Sequence, residues 1–457
     1  MESKKMWWRR VAPYLIVYGI VLIPRILFCM HADTIRTISD EASTMSIAAK
    51  LAGYDWSAVT AQAGYYGIGT GALLSWAFKI FHSAIDVYRA SLIALAITES
   101  LVAVICFYIM KEMFQIKEDW KNICVSVAVG YIFVTRATVY YNEHLLGFSA
   151  WLILLALLKL YQHEDSKKKC MLWTLLLTTV LGYSMTLHTR AMIFYAAVIG
   201  AVIVYALFYQ KCLVNLPLFC VGSVGMGAVA KWLVKFYQKS TWTESNIRNA
   251  SVSIDMTSHT NVGTVQRLEA WLDIILGQIN MMTMISAGFL MVAFVVLICM
   301  CFKRIKVVFT QKTAIRDAAF ERMVLLMGIF GFVWVGMSIL GMSVTWLGNA
   351  ADIIASGSGG TANGARAFTY TRYVGPALGP IILMLSVILI QQEKEFKQYF
   401  YSSLKYIAIV HAYWLVFILK YCYKVKGCAM QFYPFSFNRT LTSGYEVFLP
   451  FTFIFII

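Results

Sequence analysis

Apolar runs of roughly 17 to 24 residues recur along the whole chain, parted by short polar connections. About 20 apolar residues carry a helix across a bilayer. The pattern therefore predicts spans at 11–30, 87–110, 121–139, 143–160, 171–187, 191–210, 213–233, 283–302, 323–345, 373–391 and 404–421. A twelfth begins near Glu446 and reaches Ile457 after about a dozen residues, which at about 1.5 Å each falls short of a hydrocarbon core of about 30 Å. It reads as re-entrant or as a chain cut short. The expected fold is an all-α integral membrane protein of about 11–12 transmembrane helices, a single polytopic domain over residues 1–457. The first run is too long, and too closely followed by others, for a cleaved signal peptide, and Arg25 interrupts the apolar core such a peptide needs.

Composition agrees with this pattern, and charge orients it. Of the 457 residues 60% are hydrophobic and 14% charged, against about 25% charged in a soluble domain, so a soluble fold is excluded. Lys4, Lys5, Arg9 and Arg10 precede the first span, and Lys303, Arg304, Lys306, Lys312, Arg316 and Arg322 fill the connection 303–322. The positive-inside rule puts both stretches in the cytoplasm. Counting spans from there leaves Lys167 to Lys169 inside and the long connections 31–86, 234–282 and 346–372 outside. The net charge of +16 lies in these short stretches with no continuous basic face, so no nucleic-acid partner is expected. Ten cysteines show no C-x-x-C pairing, and most, such as Cys106, Cys124 and Cys220, sit in apolar runs as small hydrophobes, so no metal site follows from them. Cys422 and Cys428, a close pair near a predicted outer face, read as free thiols ahead of a disulfide.

The first outer connection carries the densest chemistry. Thr37-Ile38-Ser39-Asp40-Glu41 is followed by Ala42 to Ala52, whose composition favours a short helix at the membrane surface. Asp40 and Glu41 then open a helix, where the dipole favours negative charge. The simple reading is an N-cap and a first-turn acid; the functional one is a group that accepts a proton or orients a hydroxyl. Next, Ala63-Gly64-Tyr65-Tyr66-Gly67-Ile68-Gly69-Thr70-Gly71 is rich in glycine and aromatics. No strand precedes these glycines, so no phosphate-binding fingerprint fits. A turn feeding a second surface helix explains them, with close approach to a ligand as the lesser reading.

The order of these features resembles the polytopic, lipid-phosphate-dependent glycosyltransferases of the C fold, in particular the bacterial family-39-like members. In that group an Asp-Glu pair opens the first outer loop, followed by a juxtamembrane helix, a Tyr/Gly/Pro-rich turn and an Arg at the start of the second span. Asp40-Glu41, Tyr65 to Gly71 and Arg89 look like these. Tyr140-Tyr141-Asn142-Glu143-His144 is similar to the group's second acidic site, His188-Thr189-Arg190 resembles a basic site after the fifth span, and Arg372-Tyr373-Val374-Gly375-Pro376 looks like the Arg-Tyr-x-x-Pro that opens a late span. The Pro-Pro-Leu often found after the acidic pair is replaced here by Tyr66-Gly67-Ile68-Gly69, a departure that bears on acceptor and sugar identity. The segment 234–282 matches nothing in the group.

The resemblance implies a membrane glycosyltransferase that moves a hexose or pentose from a polyprenyl-phosphate donor to an acceptor at the extracytoplasmic face, with inversion, in the cell envelope of a bacterial plasma membrane. The residues supply a compatible set. Arg25, Arg89, Arg136, Arg190 and Arg372 lie near outer ends of predicted spans, the side that the positive-inside rule depletes. Guanidinium groups grip phosphate bidentately; snorkelling to the interface is the simpler account for Arg25 and Arg136. In this scheme Asp40 is general base or acceptor orienter, Glu41 and Glu143 position the sugar or a divalent metal, and Tyr66 contacts substrate. Arg89, His188, Arg190, Arg372 and Tyr373 hold the donor phosphate. The carboxylates could equally serve as ion-pair partners that neutralise the arginines.

Trp242, Glu244, Arg248, His259, Arg267, Glu269, Trp271 and Asp273 suit sugar or acceptor binding, although an interfacial aromatic belt is a commoner cause of such composition. Asn249-Ala250-Ser251 and Asn438-Arg439-Thr440 match the glycosylation acceptor pattern, and Ser356 to Gly364 reads as a flexible loop that orders over substrate. The competing function is a transporter or lipid-linked glycan flippase. It asks for mid-membrane breaks; Gly222, Gly225, Gly227, Gly328, Gly331 and Gly336 fall inside spans, where small residues more often mark close helix contacts than breaks, and the choice between the two stays open. A third reading is a non-catalytic partner in an envelope complex.

Overall fold

The computed structural model describes residues 2–35, 38–60, 64–132, 141–241, 262–311, 318–356, 367–368, 372–421, 429–432 and 437–440. Outside these lie Arg136, Tyr140, Trp242, Glu244, Arg248, His259, the Asn249 triplet, most of the Ser/Gly-rich stretch, Cys422, Cys428 and the run from Glu446, together with the side chain of Asn438.

The chain is an all-α, polytopic integral membrane protein. Among the described residues seven helices are long and apolar enough to cross a membrane, or up to eight if a bent pair counts as one span. Lipid offers no partner for backbone N–H and C=O groups, so an apolar run of this length resolves as a helix whose bonds close within it. The helices are α1 (Glu2–Met30), α2 (Ile38–Leu51), α3 (Ser57–Thr60), α4 (Gly69–Ile80), α5 (Ala84–Tyr108, prolonged by a π turn to Met113), α6 (Asp119–Ile132), α7 (Glu143–Gln162) and α8 (Lys167–Leu187). They continue with α9 (Met192–Tyr209), α10 (Leu216–Thr241), α11 (Thr264–Ile285), α12 (Phe289–Gln311), α13 (Ala319–Thr345), α14 (Leu347–Ser356), α15 (Leu378–Gln391) and α16 (Glu393–Tyr421). Residues Ala429–Phe432 and Phe437–Thr440 pair as a short antiparallel hairpin.

Packing divides the chain into two compact units, Met1–Val252 with Lys312–Leu326, and Ser253–Gln311 with Met327–Ile457. In the first, α5 is central, touching α1, α6 and α7, while α8 packs between α7 and α10. Val17, Val21, Ala103 and Phe107 form the α1–α5 seam. Lipid tails are as apolar as the side chains, so such contacts rest on close fit and not on escape from water. Accordingly Leu15, Ile20, Ile23 and Leu27 on α1, and Val221, Val224 and Trp232 on α10, stay exposed to the bilayer. Glycines permit the tight seams: a Cβ on Gly222 would sit 2.9 Å from Thr178 Oγ1 on α8.

α7 sets the depth of the unit. Its 20 residues at about 1.5 Å each span about 30 Å, the hydrocarbon thickness. Just beyond its C-terminal end, Glu164 accepts from Tyr205 Oη at 2.6 Å, from Lys211 Nζ at 3.2 Å and from Arg322 Nη1 at 3.5 Å. Charge therefore joins the end of α7, the end of α9 and the start of α13, which brings Arg322 of the basic connection into contact with the turn that precedes Lys167 to Lys169.

The structure departs from the expected connection at 234–282. α10 runs on to Thr241, and α11 fills the end of that range. Window averaging hides α11 because Glu269, Asp273, Gln278 and Asn280 interrupt its apolar run; its buried face nevertheless carries Ala270, Ile274, Gly277 and Met281. α11 and α12 bend by 107° at residues 286–288, where Ala287 and Gly288 take positive φ of 48° and 82°. α11 packs on α14 and α16, and α12 on α15 and α16. Gly328 and Gly331 are close contacts, with added Cβ atoms 2.9 Å from Met384 Sδ and 2.8 Å from Ile381 Cγ1, whereas Gly225 and Gly336 face open space.

Candidate functional site

The first connection builds one wall of the site. α2 opens with Ile38, Ser39, Asp40 and Glu41 and closes with a reversal at Gly53. There Tyr54 N bonds Ala49 O at 3.0 Å and Gly53 N bonds Lys50 O at 3.0 Å, the paired bonds that end a helix when the next residue can take positive φ. The chain then returns so that α4 lies on α2, close enough that a Cβ on Gly71 would sit 2.5 Å from Ile47 Cβ. α4 leaves Leu73, Trp76 and Ile80 exposed on its other face, the pattern of a helix lying in the membrane interface. A helix does follow the glycine-rich turn, as the sequence led us to expect.

Gly67 decides where Tyr66 goes. Its φ is +130°, and a side chain there would run into the backbone oxygens of Thr186 and Leu187 at the end of α8. Closeness to α8, rather than to a ligand, is thus one physical reason for glycine. The approach stacks Tyr66 on His188, with ring centroids 5.6 Å apart and planes at 22°. Tyr66 Oη donates to Asp40 Oδ1 at 3.0 Å. Burial pushes the neighbouring Tyr65 phenol up from its ordinary pKa.

The opposite wall is the gap between α8 and α9. His188 caps a short 3-10 turn, Thr189–Ala191, its Nδ1 accepting from Arg190 N at 3.1 Å, which leaves the neutral ring its proton on Nε2. Arg190 Nε lies 3.4 Å from the imidazole, and Arg190 Nη2 donates to Glu143 Oε1 at 2.6 Å. Five of the predicted residues therefore join in one chain of contacts, Asp40–Tyr66–His188–Arg190–Glu143, although they come from four separate stretches of sequence.

The other predicted site residues make contacts of their own. Glu41 is fully buried between α2 and α5 and accepts from Tyr88 Oη at 2.5 Å. Arg89 donates Nε–H to Ala32 O at 2.8 Å, tying the start of α5 to the end of α1. Arg372 and Tyr373 belong to the second unit, where the Arg372 guanidinium lies 5.8 Å from the Tyr373 ring centre and Tyr373 rests against Trp346. Asp273 is buried on α11 and accepts from Tyr413 Oη at 2.5 Å.

Two features escaped the sequence reading. One is a cavity of about 400 Å³ beside α2, lined by Asp33, Met45, Trp56, Phe78, His82 and Tyr88 among others. It is mostly apolar, and Tyr88 gives it one wall while its hydroxyl holds Glu41. The other is Glu99, inside the apolar run of α5. Its Oε2 lies 2.6 Å from His144 Nδ1 and 3.7 Å from Arg25 Nη1. Arg25 also donates to Gly130 O at 2.7 Å and Ser100 Oγ at 3.1 Å and is only 2% exposed. Arg25 therefore does not snorkel to the interface; a buried carboxylate satisfies it more closely than lipid head groups would. The available signal was one of pairing, since three ionisable residues in three apolar runs each need a partner. Among the described residues no three His, Cys, Asp or Glu side chains come together as a metal site.

Comparison with protein-family models, with curated proteins and with solved structures finds no match for this chain.

Proposed function

We propose that this protein is a membrane glycosyltransferase that moves a sugar from a polyprenyl-phosphate donor to an acceptor at the extracytoplasmic face, with inversion. The observation that carries the reading is the chain of contacts from Asp40 through Tyr66, His188 and Arg190 to Glu143. It links, through Tyr66 and His188, a carboxylate suited to an acceptor with a cation suited to a departing phosphate, the two requirements of this transfer.

In the reaction the acceptor hydroxyl gives its proton to the Asp40 carboxylate while its oxygen attacks the anomeric carbon. The bond from that carbon to the phosphate oxygen breaks, and its electron pair leaves on the polyprenyl phosphate. Tyr66 orients Asp40 through its 3.0 Å bond. Arg190 serves the leaving phosphate, which suits the fork of a guanidinium, while Glu143, bonded to it at 2.6 Å, sets its direction. The apolar cavity beside α2 suits the hydrocarbon part of a lipid ligand.

The test is incubation of the purified protein with radiolabelled polyprenyl-phosphate sugars and candidate acceptors, with and without EDTA. Asp40→Asn keeps an oxygen for Tyr66 but loses the base, so it should express normally and transfer nothing. Wild-type transfer at an unchanged rate in that variant would remove the base assignment.

A second reading, a transporter or lipid-linked glycan flippase, draws on the 107° break between α11 and α12 and on the buried Asp273 of α11. It predicts substrate movement in proteoliposomes that Asp273→Asn abolishes and Asp40→Asn leaves intact.

A further inference from the structure

α7 opens with an asparagine that does not cap it. The Asn142 carbonyl accepts the first helical bond, from Leu146 N at 3.0 Å, as an N-cap residue should. Asparagine is favoured there because its side-chain oxygen can take a first-turn N–H, worth about 1 kcal/mol. Here the backbone is already helical, φ −62° and ψ −23°, and the side chain makes no capping bond. The residue is 2% exposed, and among the described residues neither its amide oxygen nor its amide nitrogen has a hydrogen-bond partner. Buried polar groups are nearly always paired, so an unpaired amide one residue before Glu143 is a feature to explain.

Its neighbours settle why the helix does not turn to satisfy it. Glu143, next in the chain, is held by Arg190 at 2.6 Å. His144, the residue after, is held inward by Glu99 at 2.6 Å, with Arg25 behind. Two charged anchors pulling on adjacent residues fix the rotation of the first turn. Asn142, the residue before Glu143 in the chain, is left with its donor and its acceptor unpaired.

We propose that Asn142 is the residue that reads the sugar of the donor. The inference rests on the glycosyltransferase reading and names the specificity element of that site. A primary amide presents a donor and an acceptor in one plane, which matches a ring hydroxyl or two adjacent ones. With the phosphate at Arg190, the sugar ring bonded to it comes within reach of the neighbouring residue. The amide is buried, so a rotation of the Asn142 side chain accompanies sugar entry. Sites that hydrogen-bond a substrate hydroxyl discriminate strongly, because a ligand without it leaves buried polar groups unpaired.

The experiment uses the full chain in lipid nanodiscs and compares the affinity of farnesyl phosphate with that of farnesyl phosphate bearing mannose, glucose, galactose or arabinose. In the wild type one of the sugar-bearing lipids should bind more tightly than bare farnesyl phosphate. Asn142→Leu, nearly the same size, should lose that margin, about tenfold or more, while holding farnesyl phosphate within about twofold of the wild type. It should also melt higher, because it removes an unsatisfied buried amide. The inference is overturned if Asn142→Leu keeps the margin, if it loses both kinds of lipid alike, if it melts lower, or if the wild type shows no margin for any of the four sugars. If the leucine variant does not fold, Asn142→Ala answers the binding question by the same criterion. A wild type that binds none of these lipids, bare farnesyl phosphate included, sinks the glycosyltransferase reading and this inference with it; retention of the margin in the variants sinks only the inference.

Discussion

Gly53, Gly64 and Gly67 form a graded series in the first connection. Among the described residues Gly64 has no atom within 4 Å of an added Cβ and no positive φ; Gly53 has the same open space with φ +95°; Gly67 combines φ +130° with backbone oxygens of Thr186 and Leu187, the latter 2.8 Å away. Alanine at 64 should be neutral or stabilising by about 0.4–1 kcal/mol, through a less flexible unfolded chain. At 53 it meets backbone strain alone, about 1–2 kcal/mol for a left-handed residue. At 67 strain of about 1–3 kcal/mol adds to overpacking of about 1–3 kcal/mol, and because the obstacles are backbone atoms a rotamer change cannot relieve them. The expected loss is about 2–6 kcal/mol, or less if the segment lifts away from α8. In the second case stability is spared but Tyr66 leaves His188 and Asp40, so transfer falls where Gly53→Ala leaves it near the wild-type rate. Thermal unfolding in detergent, run beside the transfer assay, reads both outcomes. Gly67→Ala with wild-type melting and wild-type transfer would refute the claim that close approach to α8 places Tyr66.

Removing Glu99 alone, as Glu99→Ala, strands the buried Arg25 guanidinium and should cost about 3–5 kcal/mol, whereas replacing Arg25, Glu99 and His144 together by apolar residues of similar size should keep or raise the melting temperature. A combined variant that melts lower than Glu99→Ala would contradict this. The Arg190–Glu143 pair is partly open, with side chains 25% and 12% exposed, so a double-mutant cycle with alanine should return about 1 kcal/mol or less of coupling in stability. Activity should fall much further in each single variant; equal effects on both readouts would count against a role in the reaction. His163 titrates below its ordinary 6.5 because of burial first and then Lys169 and Lys159. Its depressed folded value makes the neutral ring the stabilising form, so the contribution is whole above 6.5 and declines as pH falls toward the folded midpoint. Histidine NMR should show that midpoint rising in Lys169→Gln, and an unmoved midpoint would remove lysine as a cause.

Much of the fold could be read from the chain alone, for one reason. Backbone in lipid must bond within itself, so the length of an apolar run is almost a statement of structure; α1, α5, α7, α8, α9, α10 and α13 all fall on predicted runs. The acidic start of α2 and the helix that follows the glycine-rich turn were legible too, since helix opening and turn chemistry are local properties. α11 was not, because four polar residues dilute its apolar face and only packing on α14 and α16 reveals it.

Which charges meet is a different kind of fact. Asp40, Tyr66, His188, Arg190 and Glu143 could each be nominated from the chain, but their contact depends on Gly67 closing on α8 and on the turn that presents Arg190. Glu99 could not be nominated at all by averaging, since one carboxylate barely moves the hydropathy of a 25-residue helix. Arg25 went to the wrong partner for the same reason. Secondary structure in a membrane follows from what each segment must do for its own backbone. The pairing of ionisable groups follows from what distant segments do for one another, and only the packed helices decide that.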